Sequence, residues 1–185
     1  MTLSVSAIAQ TVKSVSSPDG NIMVDVRIGN GITYDVYCGE EKVLTDCRMS
    51  MDIEGNVLGS LPKLQSVKRQ KVNEVKRPFL KLKFAEVPNN YNEMTLVMKG
   101  NYSVVFRAYN DGLAYRFVTS LKGEVKVNHE EITVFFPQNA QLVLQQSDRY
   151  RTSYEERYSF VKSSVWLSFQ KMAHYPVLAI TSGGT

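Results

Sequence analysis

The sequence predicts an all-β fold, an antiparallel sandwich or barrel of roughly ten short strands. Apolar and polar residues alternate with period two through segment after segment, which places one face of each against a core. Clusters of turn-forming residues separate these segments at hairpin spacing. The one rival helix, over 61–75, is weak. Leu61, Leu64, Val67 and Val75 share a face only loosely, and β-branched residues and glycines stand among and beside them.

Taken in order, Ile22, Val24, Val26 and Ile28 form the first clear apolar face, with Met23, Asp25 and Arg27 opposite. Leu80-Leu82-Phe84, Met94-Leu96-Met98, Val125-Val127, Ile132-Val134-Phe136 and Val165-Leu167-Phe169 repeat the alternation. The turns between them are expected at Pro18-Asp19-Gly20, Gly29-Asn30-Gly31, Pro88-Asn89-Asn90, Lys99-Gly100-Asn101, Asn110-Asp111-Gly112 and Lys122-Gly123. In 104–117, VVFRAYNDGLAYRF, two aromatic-rich arms flank Asn-Asp-Gly. That is a strong hairpin signal, with Gly112 expected at positive φ and Tyr102, Val104, Phe106 and Ala108 on one face. No internal repeat, low-complexity tract or linker interrupts the pattern, so residues 10–185 read as one domain.

The chain has 185 residues, 43% apolar and 22% charged, enough to bury a core without metals or disulfides. No apolar run nears the roughly 18 residues of a membrane-spanning helix, so no membrane span is expected. The net charge of +4 is uneven: residues 63–83 carry net +7, leaving −3 for the rest. A basic cluster can hold phosphates, but no aromatic lies in 63–77 to stack bases. A solvated strand face is favoured and no nucleic-acid partner is expected. Residues 1–9, ending in Ala7-Ile8-Ala9 before Gln10, resemble the tail of a secretory signal and point to export. Cys38 and Cys47 fit no zinc spacing. They are either one disulfide in an oxidising compartment or two small apolar side chains.

No complete catalytic apparatus is visible. There is no Gly-x-Ser-x-Gly elbow and no Gly-rich phosphate loop, and His129 and His174 stand alone. The densest polar stretch, SDRYRTSYEERYSF at 147–160, packs three arginines, three acids and three tyrosines into fourteen residues. Strand alternation would set Tyr154, Glu156 and Tyr158 on one face, with Glu155 and Arg157 on the other, so at most one carboxylate serves an ion. Carboxylates suit Ca²⁺, but one glutamate is not a site. Tyr150, Tyr154, Tyr158 and Trp166 are the candidates for stacking on sugar rings.

Five stretches occur together and in order: SSPDGNIMVDV (16–26), YDVYCGEEKVL (34–44), NNYNEMTLVM (89–98), FRAYNDGLAYRF (106–117) and SYEERYSF (153–160). Together they resemble the N-terminal domain of glycoside hydrolase family 97, secreted α-glucosidases and α-galactosidases of Bacteroidetes. The resemblance covers nearly the whole chain after Gln10, and FRAYNDGxAYRF is its most specific element. It implies an antiparallel β-super-sandwich of the galactose-mutarotase-like kind, incomplete at the C-terminus. In the family this precedes a catalytic (β/α)₈ barrel, which the chain lacks. It implies export to the periplasm or outer surface of a Gram-negative bacterium. It also implies that the sandwich lends one glutamate to an active-site Ca²⁺, with Glu155 as candidate and Glu156 as alternative. His174 and Tyr175 are expected near the carbohydrate.

The leading functional expectation is a non-catalytic sandwich that supports the barrel and helps form its calcium and α-linked oligosaccharide site, inactive by itself. A stand-alone carbohydrate-binding sandwich is the alternative. A mutarotase-like enzyme, pairing His129 or His174 with Glu155 as acid and base, is disfavoured. Gluco or galacto specificity, and inversion or retention, are decided in the barrel.

Overall fold

A computed structural model describes residues 10–81, 83–137, 139–169 and 171–181. The expected signal remnant, 1–9, lies outside them. The fold is all-β and antiparallel, and it divides into two compact units. The first comprises residues 10–42 and 46–134, the second 43–45 and 135–181.

The first unit is a two-sheet sandwich. One sheet contains β1 (Thr11–Ser16), β2 (Ile22–Ile28), β3 (Ile32–Cys38), β4 (Glu41–Ile53) and β10 (Val127–Thr133) in that order. The short β5 (Asn56–Leu58) pairs with β4. The other sheet runs β6 (Leu64–Lys76), β7 (Val87–Met98), β8 (Tyr102–Tyr109), β9 (Gly112–Thr119). The alternation read from the sequence is what fills the space between them. Val24, Val26, Ile32 and Tyr34 from one sheet and Met94, Leu96, Val104 and Phe106 from the other are buried. The Tyr34 and Phe106 rings meet edge to face across the sandwich at 5.9 Å.

The predicted hairpin forms, with Tyr102, Val104, Phe106 and Ala108 all buried. Its turn differs in detail. Tyr109 pairs with Gly112, so Asn110 and Asp111 alone make the loop, and Gly112 opens β9 outside the left-handed region. Asn110 also ties this turn to the one between β1 and β2, because its side-chain oxygen accepts the Asp19 backbone N–H at 3.2 Å. Arg107 is held by Glu93 at 2.7 Å and lies over the Tyr91 ring, a cross-strand pair on the outer face.

Several expectations are corrected. Residues 61–75 are not helix. From Leu64 they form β6, which pairs with β7 along its length. Its largely exposed, basic face is that of an edge strand, where lysines discourage pairing with other chains. The Leu80-Leu82-Phe84 alternation makes no strand: Leu80 and Phe84 lie exposed in the loop between β6 and β7, and Leu82 is outside the described residues. Pro78, which has no N–H to donate, stands at the start of that loop. Pro88-Asn89-Asn90 is no turn but part of β7. Val125 precedes β10, and Val134 and Phe136 follow it.

In the second unit, β11 (Gln141–Ser147) is the centre of a three-stranded sheet between β12 (Tyr158–Lys162) and β13 (Met172–Ile180). The predicted 165–169 strand is instead the short helix α1 (Ser163–Trp166) and a 3₁₀ turn, Leu167–Phe169. Ser163 ends β12 by donating its backbone N–H to the Ala140 carbonyl and its hydroxyl to the Pro137 carbonyl. These bonds to a segment more than twenty residues earlier hold the chain where β12 gives way to α1, against the alternating pattern. Cys38 and Cys47 are not joined in a disulfide, and Cys47 is buried like a small apolar side chain.

Candidate functional site

The candidate residues gather in the second unit, where loop 148–157 joins β11 to β12. The loop is irregular, so the strand alternation expected for Tyr154 to Tyr158 does not apply before β12 begins at Tyr158. The side chains of Ser147, Thr152 and Gln145 shape it. Ser147 Oγ donates to the Arg149 carbonyl and accepts the Arg149 N–H, closing the start of the loop. Thr152 Oγ1 accepts the Tyr154 N–H at 3.0 Å and lies 3.3 Å from His174 Nε2. Gln145 Nε2 donates to the Glu156 carbonyl at 2.7 Å.

The consequence is a small aromatic corner. Gln145 and His174 face each other in the β11–β13 ladder, and Tyr154 leans on the His174 ring with centroids 4.5 Å apart. To reach it, Tyr154 adopts φ +59, unusual for a bulky residue. Such strain persists only where surrounding contacts impose it, and Thr152 and His174 supply those contacts. Tyr175, next along β13, is 88% exposed, and Tyr150 is 90% exposed.

Glu155 and Glu156 follow the strained residue and are exposed. Three arginines stand nearby in sequence. Yet, among the described residues, neither glutamate forms an ion pair with them. No group of three or more His, Cys, Asp or Glu side chains converges among the described residues. His174 is in contact with Thr152 and Tyr154. His129 lies on β10 of the first unit.

Sequence reasoning singled out Glu155, Glu156, His174 and Tyr175, and named Tyr154 only as a stacking candidate. It missed Thr152 and Gln145. Nothing in the string marks either, because their roles come from a loop fold and a strand register.

The most strongly perturbed carboxylate lies elsewhere and is structural. Asp35, 3% exposed, receives two hydrogen bonds from Arg27, one from Lys42 and one from the Asp46 backbone. The Arg27 guanidinium is the main cause that holds this carboxyl well below the usual range, against the opposing effect of burial. With every acceptor direction used, it pins β2, β3 and β4 together and has nothing to offer a ligand.

The family described as Glycosyl-hydrolase 97 N-terminal matches residues 15–185. A retaining α-galactosidase of Bacteroides thetaiotaomicron is 40% identical over 131 residues, which is 70% of this chain and 20% of that protein. A glycoside hydrolase family 97 enzyme from Pseudoalteromonas sp. strain K8, solved in complex with acarbose, superposes with a TM-score of 0.78 at 18% identity. The match covers 93% of this chain and 27% of that one. A β-arabinopyranosidase crystal structure gives 0.71 at 24% identity, covering 80% and 26%. The chain thus matches about a fifth to a quarter of the length of these proteins.

Proposed function

The chain belongs to the N-terminal domain family of glycoside hydrolase 97, and from that premise we propose that it is the non-catalytic sandwich of an exported α-glycosidase. In that role it braces the catalytic domain and lends Glu155 to a calcium and carbohydrate site. The observation that carries this reading is the arrangement of Glu155. It is an exposed carboxylate without an ion-pair partner among the described residues, set by a pinned, strained turn beside an aromatic corner.

The donors fit calcium in kind and fall short in number. Glu155 and Glu156 supply hard carboxylate oxygens, but the ion takes roughly six to eight and no third acidic or imidazole group converges on them among the described residues. The chain would hold only one side of the ion, with the remaining ligands coming from the catalytic domain. Bound calcium would supply a fixed positive charge for orienting sugar hydroxyls. His174 and Tyr175 are then the groups this domain offers to an α-linked oligosaccharide. Galactosides are the first substrates to test, after the 40%-identical α-galactosidase.

The test is calorimetric titration of Ca²⁺ into the 185-residue chain and into a version extended through the catalytic domain, each with and without Glu155→Gln. Weak binding by the short chain, and tight binding by the long one that the substitution abolishes, is the expected result. Tight binding by the short chain, or a long chain indifferent to the substitution, removes Glu155 from the site. The short chain is also expected to release no sugar from aryl α-glucosides or α-galactosides.

The exposure of Tyr150 and Tyr175 favours one second reading, a stand-alone carbohydrate-binding module. Saturable binding of an α-linked oligosaccharide by the short chain, lost on Tyr175→Ala, would support it.

A further inference from the structure

The β6–β7 hairpin outruns its sheet. β8 pairs with β7 only from Tyr91 onward, whereas β6 continues to pair with β7 out to Lys76 opposite Val87. Four residues of each strand, 73–76 and 87–90, therefore project as a two-stranded arm of about 13 Å, capped by loop 77–86. An isolated two-stranded ribbon is marginal in water by itself. Here its tip is also apolar: Phe79 is 100% exposed, Leu80 67% and Phe84 59%. Below them on the arm Val75 is 56% exposed.

The charges at the tip are cationic. Arg77 is neutralised by Glu86 at 2.9 Å. Lys81 and Lys83, among the described residues, pair with no carboxylate, and Lys83 lies 5.4 Å over the Phe84 ring. Apolar side chains flanked by free cations fit a recess that is apolar at its floor and acidic at its rim.

The size of the patch selects among occupants. Three side chains of this kind cover on the order of 500 Å², short of the roughly 800 Å² per partner in a stable complex of free proteins. A partner on the same polypeptide needs far less, because tethering holds it at high effective concentration. The proteins this chain matches carry about three-quarters or more of their length beyond the matched segment. A second copy meeting arm to arm would bring like charges together.

We propose that the arm is a docking device, and that Phe79, Leu80 and Phe84 seat in an acidic-rimmed apolar recess of the catalytic domain on the same polypeptide. This rests on the domain's serving a longer glycosidase. It adds which surface makes the joint.

Oxidative footprinting read by mass spectrometry tests it, comparing the full-length polypeptide that carries this domain with the 185-residue chain. Labelling of Phe79 and Phe84 is expected to fall severalfold in the longer protein. Unchanged labelling there overturns the proposal. If Tyr154 and Tyr175 become protected while the arm does not, the docking surface is wrong and the supporting role survives; if nothing becomes protected, both fail. Protection of the arm in the short chain by phosphatidylglycerol vesicles, or by raising its own concentration, also overturns it, in favour of a bilayer or a second copy.

Discussion

At Gly59 the backbone sits at φ +89, and a Cβ placed there would come within 2.9 Å of the Met49 carbonyl oxygen. Its N–H also donates to the buried Tyr102 hydroxyl. Gly59→Ala is therefore expected to cost about 2 kcal/mol or more. Gly112→Ala is expected to be neutral or to stabilise by up to about 1 kcal/mol, since nothing lies within 4 Å of its Cβ position and its φ is ordinary. Urea midpoints of the two variants check the contrast. Two things separate these glycines: the positive φ at Gly59 and the approach of the Met49 carbonyl to its Cβ position. Asp35 supports a pH prediction. Its pKa is depressed in the folded state, so its contribution is present above the unfolded value of about 3.9 and is lost as the pH falls through the folded one. Stability should drop steeply below about pH 4. Asp35→Asn should flatten that slope and, by leaving Arg27 with Asp46 alone and Lys42 without its carboxylate, cost about 3 kcal/mol at neutral pH.

Elements were legible where a strand has one buried face. β2, β7 and β8 follow their alternation because each packs into the sandwich. Phe106→Ala should accordingly cost about 3–5 kcal/mol, read as a shift in the chemical-denaturation midpoint. The pattern misled at Leu80 and Phe84, which alternate like core residues yet are exposed, and at Val165, where Ser163 starts a helical turn. Alternation reports amphipathicity; it does not say whether a partner strand exists. The candidate site was legible in its residues but not in its scaffold. SYEERY drew attention to Glu155, whereas the Thr152–His174 contact and the left-handed Tyr154 required the loop to be folded. The basic face of β6 gives an element-scale test. Replacing Lys68 and Lys71 with valine should leave the fold intact and produce concentration-dependent association, seen by analytical ultracentrifugation, as the open edge loses its charged guard.

For the molecule as a whole, composition and periodicity predicted an all-β antiparallel chain, and that is the fold. The division into two units was not visible, because no linker marks it. The boundary is crossed inside β4, whose residues 43–45 group with 135–181 while the rest of the strand belongs to the sandwich. Thr45 donates its backbone N–H to the Phe135 carbonyl. Modularity follows from this. Three junctions separate the units, so no single cut of the polypeptide yields either one entire. A nonsense codon after residue 134 would take away the acceptor of the Thr45 N–H and leave three mid-strand residues without their unit. Recombination at that point would carry the same defect into any chimera. The pair is thus expected to be inherited, exchanged and lost as one piece.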